Sequence, residues 1–352
     1  MLRRVFNALI VVILALFTVV AAIFIGRDLI SFVSASSRTS PESNMAAHAG
    51  SEGHIAFSQG GRIASASGNG GNPTFITGGP IDTTPVWSPD GAQIAFVALN
   101  PPDRTGIFVA KADGTGEHQV AAAASIYSRP TWSPDGKRLA FRDSFKARQG
   151  IYTVNVDGSQ LRRIYEGNPN TPVWSPDGKM IAFSFNKTPT TGGIYLLDPD
   201  GSNPRLLIEG KFGQLAWSPD AMHMAVRSMP KDGIEELLLV EVEGGTATTM
   251  ATGVASGNWS PSWSPDGKLI AFILEDGDER KVVVVSPVSG GTPRDLLRAY
   301  NFTTPFWSPD GANLVASVEQ RRGEDPVLIR VRVDGSGKPQ TLAIGEFPSW
   351  TK

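Results

Sequence analysis

Tryptophan recurs along this chain at Trp87, Trp132, Trp174, Trp217, Trp263, Trp307 and Trp350, at intervals of 42 to 46 residues. A fixed period in that range marks a repeat architecture, in which each unit is one supersecondary element that cannot bury its own apolar face and must stack on a neighbour. Five of these tryptophans open an intact Trp-Ser-Pro-Asp-Gly, with its acid and glycine at Asp90 and Gly91, Asp135 and Gly136, Asp177 and Gly178, Asp266 and Gly267, and Asp310 and Gly311. A sixth copy runs from Trp217 to Asp220 and then has Ala221 in place of glycine, and Trp350 stands two residues from the C-terminus.

The pentapeptide is explained by chain mechanics. Proline pre-sets φ for the second turn position, aspartate accepts a local backbone N–H, and glycine supplies the positive φ that starts the return strand. The preceding tryptophan offers a large apolar surface with one N–H donor, suited to wedging between stacked units. At Ala221 a Cβ occupies the glycine position, so that turn is expected to be strained or of another type.

Residues 171–210 show the full unit. Pro172-Val-Trp174 is a short strand, Ser175 to Gly178 a turn, and Met180 to Ser184 a second strand; Gly193 to Leu197 and Arg205 to Ile208 are the third and fourth, joined through Pro199-Asp-Gly201. Four short strands per unit, each joined to the next by a hairpin, is the pattern of a propeller blade. The first unit begins at His54 without a Pro-x-Trp strand, and Phe347-Pro-Ser-Trp350 supplies that strand from the other end of the chain. Seven Pro-x-Trp-like strands and seven Ile-Ala-Phe-like strands, at Ile55, Ile94, Leu139, Ile181, Met224, Ile270 and Leu314, predict an all-β, seven-bladed propeller over residues 54–352, closed by its C-terminal strand.

The run Pro-x-Trp-Ser-Pro-Asp-Gly-x-x-Ile-Ala-Phe, followed by Ile-Tyr and a later Asp-Gly, resembles the WD40-like (PD40) propeller repeat of the TolB family. Similar repeats occur in the propellers of prolyl-oligopeptidase-like hydrolases and tricorn-type proteases. The resemblance implies a bacterial, extracytoplasmic protein of the cell envelope that works by binding other proteins. It is incomplete in three respects. TolB carries a small α/β domain before a six-bladed propeller, whereas this chain shows no such domain, has seven repeats and begins with an apolar segment.

Met1-Leu-Arg-Arg4 precedes a run from Val5 to Gly26 whose only polar members are Asn7 and Thr18. At about 1.5 Å per residue that run spans roughly 30 Å, the thickness of a bilayer core. It reads as an uncleaved signal-anchor over residues 1–26, with the N-terminus cytoplasmic because Arg3 and Arg4 flank it on that side. The alternative is a cleavable signal, for which Val33-Ser-Ala35 resembles a processing site. Residues 27–53 read as a flexible tether, which places the propeller in the periplasm or outside the cell.

A formal charge of −2 gives no basic footprint for nucleic acid. The absence of cysteine excludes disulfides and thiol chemistry, and the four histidines, His48, His54, His118 and His223, are too scattered for a metal cluster. No metal or cofactor is expected. No Gly-x-Ser-x-Gly occurs, which argues against a serine hydrolase. A glycosidase or lyase acting through channel-mouth carboxylates stays open as the enzymatic alternative.

Alternating strand direction puts the Ser-Pro-Asp-Gly and Asp-Gly turns on one face of the disc and the longer, variable loops on the other. Binding residues favour variable loops on a rigid scaffold, so the ligand is expected on the loop face, for a protein, peptide or envelope polymer. Tyr127, Phe212 and Phe302 lie five residues before their repeat tryptophans and Trp259 four before its own. With Tyr300 and Arg129 they form a predicted aromatic rim around the channel; packing between blades is the alternative for these rings. Two charged stretches on the same face, residues 275–280 and 321–325, read as solvated loop tips. Asp198-Pro-Asp200-Gly-Ser-Asn203 lacks the ligand spacing of a calcium loop and reads as an ordinary hairpin.

Overall fold

The second strand of each unit sets the architecture. In the computed structural model Ile94, Ala95 and Phe96 are all fully buried, as are Ile181, Ala182 and Phe183. Burial on successive residues means that both faces of the strand are covered, which requires another sheet on each side. The structure describes residues 53–351 apart from 101–103, 123–128, 146–147, 189–190, 231–232, 258, 278, 286–290 and 292. The predicted anchor and tether lie outside the described residues.

The strands form seven antiparallel sheets. In chain order the sheets hold β1–β3 (His54–Gln59, Arg62–Ser67, Thr74–Phe75), β4–β7 (Asp82–Trp87, Gln93–Asn100, Arg104–Lys111, His118–Ala121) and β8–β11 (Thr131–Trp132, Arg138–Asp143, Gly150–Asn155, Arg162–Glu166). The next two hold β12–β15 (Val173–Trp174, Ile181–Phe185, Gly193–Leu197, Arg205–Glu209) and β16–β19 (Phe212–Trp217, His223–Ser228, Glu236–Glu241, Ala247–Thr252). The last two hold β20–β23 (Ser262–Trp263, Ile270–Asp276, Glu279–Val285, Arg294–Ala299) and β24–β28 (Asn301–Phe302, Phe306–Trp307, Asn313–Glu319, Val327–Arg332, Gln340–Ile344). The C-terminal β29 (Glu346–Thr351) joins the first sheet, pairing with β1 through His54 opposite Thr351 and Ile55 opposite Trp350. Chain closure thus follows the expectation from Trp350. Several hairpins are tighter than the sequence implied: β5 and β6 pair as far as Asn100 and Arg104, and β21 and β22 as far as Asp276 and Glu279. The β-forming pattern simply continues into what read as loop.

The tryptophans join neighbouring blades as wedges. The indole N–H of Trp132 donates to Val86 O (2.9 Å), that of Trp217 to Val173 O (3.1 Å), that of Trp263 to Ala216 O (3.1 Å) and that of Trp307 to Ser262 O (3.0 Å). Each acceptor is the residue just before the preceding blade's own tryptophan. In the same role at the closure, the Trp87 backbone N–H donates to Ser349 Oγ at 3.2 Å.

Serine is the member of the pentapeptide that the turn rules leave unexplained. Ser175 Oγ donates to Asp177 Oδ1 (2.7 Å) and accepts from Met180 N (2.9 Å), while Asp177 Oδ1 accepts from Lys179 N (3.1 Å). The same three bonds recur around Ser88, Ser133, Ser218, Ser264 and Ser308. The serine hydroxyl therefore holds each aspartate below its ordinary value, as its largest influence on Asp90, Asp135, Asp177, Asp220, Asp266 and Asp310. Ala221 keeps the turn type at the cost of strain, with φ at 61° beside 67° to 72° at the five glycines.

Candidate functional site

The residue three before each repeat tryptophan lies in, or just ahead of, the strand that carries the tryptophan. In the third blade that residue is Arg129. Its Nη2 donates to the carbonyls of Pro85 and Pro348, both at 3.0 Å, and its guanidinium lies 4.5 Å from the centre of the Phe306 ring. One side chain thus touches the inner strands of three other blades. Among the described residues no carboxylate pairs with it. Loss of hydration pushes its pKa down to about 10, which still leaves it a cation at neutral pH. Part of its surface stays accessible. The guanidinium is therefore deep enough to lose bulk water yet open to the channel.

The two acceptor carbonyls belong to unusual backbone. Thr84 and Phe347, the residues before Pro85 and Pro348, have φ of 52° and 51°, and the pairing register shifts at both places. Left-handed conformations are rare for β-branched and bulky residues, and such strain persists where the surroundings impose it, often at functional sites.

Two cavities open onto the ring of inner strands. On the turn face a cavity of about 370 Å³ is lined by Trp87, Trp263, Trp307 and Trp350, with Phe306 and Pro89 among its other walls. The opposite face holds a cavity of about 320 Å³ between the last blade and β29, lined by Phe302, Glu319, Glu324, Glu346 and Phe347. Burial, and then the nearby charges of Glu319 and Asp325, push the Glu346 carboxyl above its usual range.

The predicted rim is largely a set of blade wedges, which corrects the sequence reading. Phe212 is 3% exposed and packs with Leu215 and Val226; Trp259 is 1% exposed and donates its indole N–H to Ala255 O at 2.8 Å; Phe302 is 6% exposed and belongs to the same cluster as Trp259. An aromatic ring buries about 150–250 Å² when covered, so the gap where one blade hands over to the next is the favoured place for it. Tyr300 is half-buried between β23 and β24. Tyr127 lies outside the described residues. Of the five described, Arg129 is the one that reaches the inner strands of three other blades.

The loop face is knitted by ion pairs that sequence reasoning did not find. Arg104 bridges the buried Asp82 and Glu117, and Arg227 meets Glu235 at 2.6 Å beneath the face of Trp259. Gly213 leaves room for this pair, since a Cβ at that position would lie 2.5 Å from the Arg227 guanidinium and push it aside. Glu275 and Arg280 are 3.4 Å apart, and both hold the backbone at Ser256, so this stretch is tied down where a solvated tip was expected. Asp198 and Asp200 are satisfied by Ser202 and Asn203, as in an ordinary hairpin. Among the described residues no group of three potential metal ligands converges.

The family model for the TolB beta-propeller domain, PD40, matches residues 74–253 and 165–352. The chain belongs to this family. No curated protein sequence matches it as a relative. Among solved structures it is similar to TolB from Acinetobacter baumannii, at 18% identity and a TM-score of 0.56, over 85% of this chain and 66% of that one. It is also similar to an oligogalacturonate lyase in complex with manganese, at 15% identity and a TM-score of 0.63, over 77% and 82% of the two chains. A puromycin-hydrolyzing peptidase from Mycobacterium tuberculosis matches at 18% identity and a TM-score of 0.62, over 81% of this chain and 50% of that one. The chain thus spans just under two thirds of that TolB and half of the peptidase. At these identities the propeller is what is shared.

Proposed function

We propose that this protein is a non-catalytic binding propeller, its seven sheets forming the blades of one ring. In this reading residues 1–26 anchor the ring in the cytoplasmic membrane and residues 27–53 hold it on the outer side. It captures a protein, peptide or envelope polymer through the central channel. Arg129 carries the reading. A cation desolvated in the channel, without a carboxylate, flanked by strained backbone and stacked on Phe306, is built to receive an acceptor group from a ligand. The turn face, set aside from sequence as uniform, offers the apolar mouth through which such a segment would enter.

Affinity purification of the anchored protein from its native membranes tests this, with Arg129→Gln as the comparison. Specific partners should be recovered with the unaltered chain and lost with the variant at unchanged thermal stability. Equal recovery would contradict the reading. Alkaline-phosphatase fusions after Gly53 should be active; inactive fusions would place the ring in the cytoplasm.

A second reading, as a carboxylate-dependent glycoside hydrolase or lyase, is favoured by one observation: the raised pKa of Glu346 in a cavity shared with Glu319. The similarity to an oligogalacturonate lyase makes acidic polysaccharides the first substrates to assay. Product release that Glu346→Gln abolishes would establish this reading in place of the first.

A further inference from the structure

The seam where the last blade meets the first is net basic in a chain that is net acidic. Residues 54–81, which supply the first blade's own strands, contain Arg62 and no carboxylate, and residues 327–344 contain Arg330, Arg332 and Lys338 against Asp334 alone. Four cations against one acid give this seam a net charge of +3, in a chain whose formal charge is −2. Such a reversal is not needed to close the ring, because the closure already has the β1–β29 ladder and an apolar cluster around Ile55, Phe57, Val315 and Leu328.

Three of the four cations surround one cavity of about 200 Å³, together with Asn69, Asn313 and Gln340. Arg330 is fixed by neutral acceptors only: its Nη1 donates to Gly68 O (2.9 Å) and Asn69 Oδ1 (2.6 Å), and its Nη2 to Gln340 Oε1 (2.7 Å). Gln340 Nε2 in turn donates to Asn69 O at 3.2 Å, so the guanidinium is held across the seam by both blades without losing its charge to a carboxylate. Arg332 is partly neutralised by Asp334 at 3.0 Å. Among the described residues Lys338 forms no ion pair. Asp310 also acts on Arg332, so the three cations leave the cavity net positive against these two acids, and the amides of Asn69 and Asn313 add neutral N–H donors at its wall.

We propose that this seam is an oxyanion site for a phosphate group, either free or carried on a polymer. A cavity of about 200 Å³ has room for a tetrahedral group. Planar guanidinium forks suit phosphate oxygens, and a cluster of three cations suits a dianion better than a single carboxylate. The site lies on the outer wall of the ring and does not depend on how the channel is used.

Isothermal titration of the full chain in detergent with inorganic phosphate tests the proposal, with acetate and a glycerol-phosphate oligomer as further arms. Saturable phosphate binding is expected, weakened at least about tenfold in Arg332→Gln, Lys338→Gln together, two exposed positions whose removal leaves the fold intact. Arg330→Gln should abolish binding, and Arg62→Gln should leave it unchanged, because Arg62 stacks on Phe75 at 3.6 Å outside the cavity. Tighter binding of the oligomer than of the free ion would identify a polymer as the source, and equal binding per phosphate the free ion. No saturable binding, binding unaffected by the double variant, or acetate binding with the same dependence would overturn the proposal.

Discussion

Removing the serine hydroxyl from one turn, as Ser175→Ala, tests how the repeat holds its shape. Ser175 is fully buried, and its Oγ accepts from the Met180 N–H at 2.9 Å and donates to Asp177 at 2.7 Å. The substitution leaves the Met180 N–H unsatisfied where the second strand starts, at a cost of about 1–3 kcal/mol, and removes a charge-assisted bond worth about 1.5–3 kcal/mol. Asp177 is near solvent and regains part of the second amount from water. The net expectation is about 2–3 kcal/mol of destabilisation. For a domain of this size that corresponds to a fall in Tm of about 3–5 °C. Urea denaturation read by tryptophan fluorescence, with calorimetry alongside, measures it. Asp177→Asn, which keeps an acceptor oxygen and the Lys179 bond, should cost less than Ser175→Ala. If Ser175→Ala lies within about 0.5 kcal/mol of the unaltered protein, the hydroxyl is incidental and the reasoning fails.

Ala221→Gly should stabilise the protein by up to about 1 kcal/mol, since relief of about 1–2 kcal/mol of left-handed strain outweighs the greater freedom of glycine in the unfolded chain, about 0.4–1 kcal/mol; a lower urea midpoint would contradict it. The six turn aspartates have folded pKa values below their unfolded ones. Their contribution is complete above the unfolded value of about 3.9 and is lost as pH falls through the folded values, so the urea midpoint should drop steeply below about pH 4. A flat profile from pH 6 to pH 2 would remove that contribution. Truncation before Glu346 deletes the strand that pairs with β1 and should abolish cooperative unfolding; an unchanged transition would show that β29 does not close the ring.

How much of this was legible in the string varies by position. Trp350 announced the closure because the first unit lacked its Pro-x-Trp strand, a counting argument that needs no side-chain detail. The serine of the pentapeptide was present in every copy, but its role depends on an N–H five residues later, and turn rules stop at four. Trp259, Phe302 and Phe212 were placed at the right level of the fold and given the wrong surroundings. Sequence offset fixes where a ring emerges from the inner strand, but whether it faces the channel or the next blade depends on the local twist. Arg129, three rather than four or five residues before its tryptophan, instead finds the carbonyl acceptors of Pro85 and Pro348. The turn-face cavity and the seam cavity join residues more than 200 positions apart, so no local pattern could have assembled them.

The channel claim is tested most directly by placing a photoreactive phenylalanine analogue at Phe306 in the native membrane, with a second copy at Phe75, which is exposed on the first blade's outer strand, as the comparison. Illumination should give discrete adducts from position 306 and none from position 75, and Arg129→Gln should remove them while the protein stays folded. Adducts that persist in the Arg129→Gln background, or that form equally at both positions, would contradict a binding site built around the channel cation.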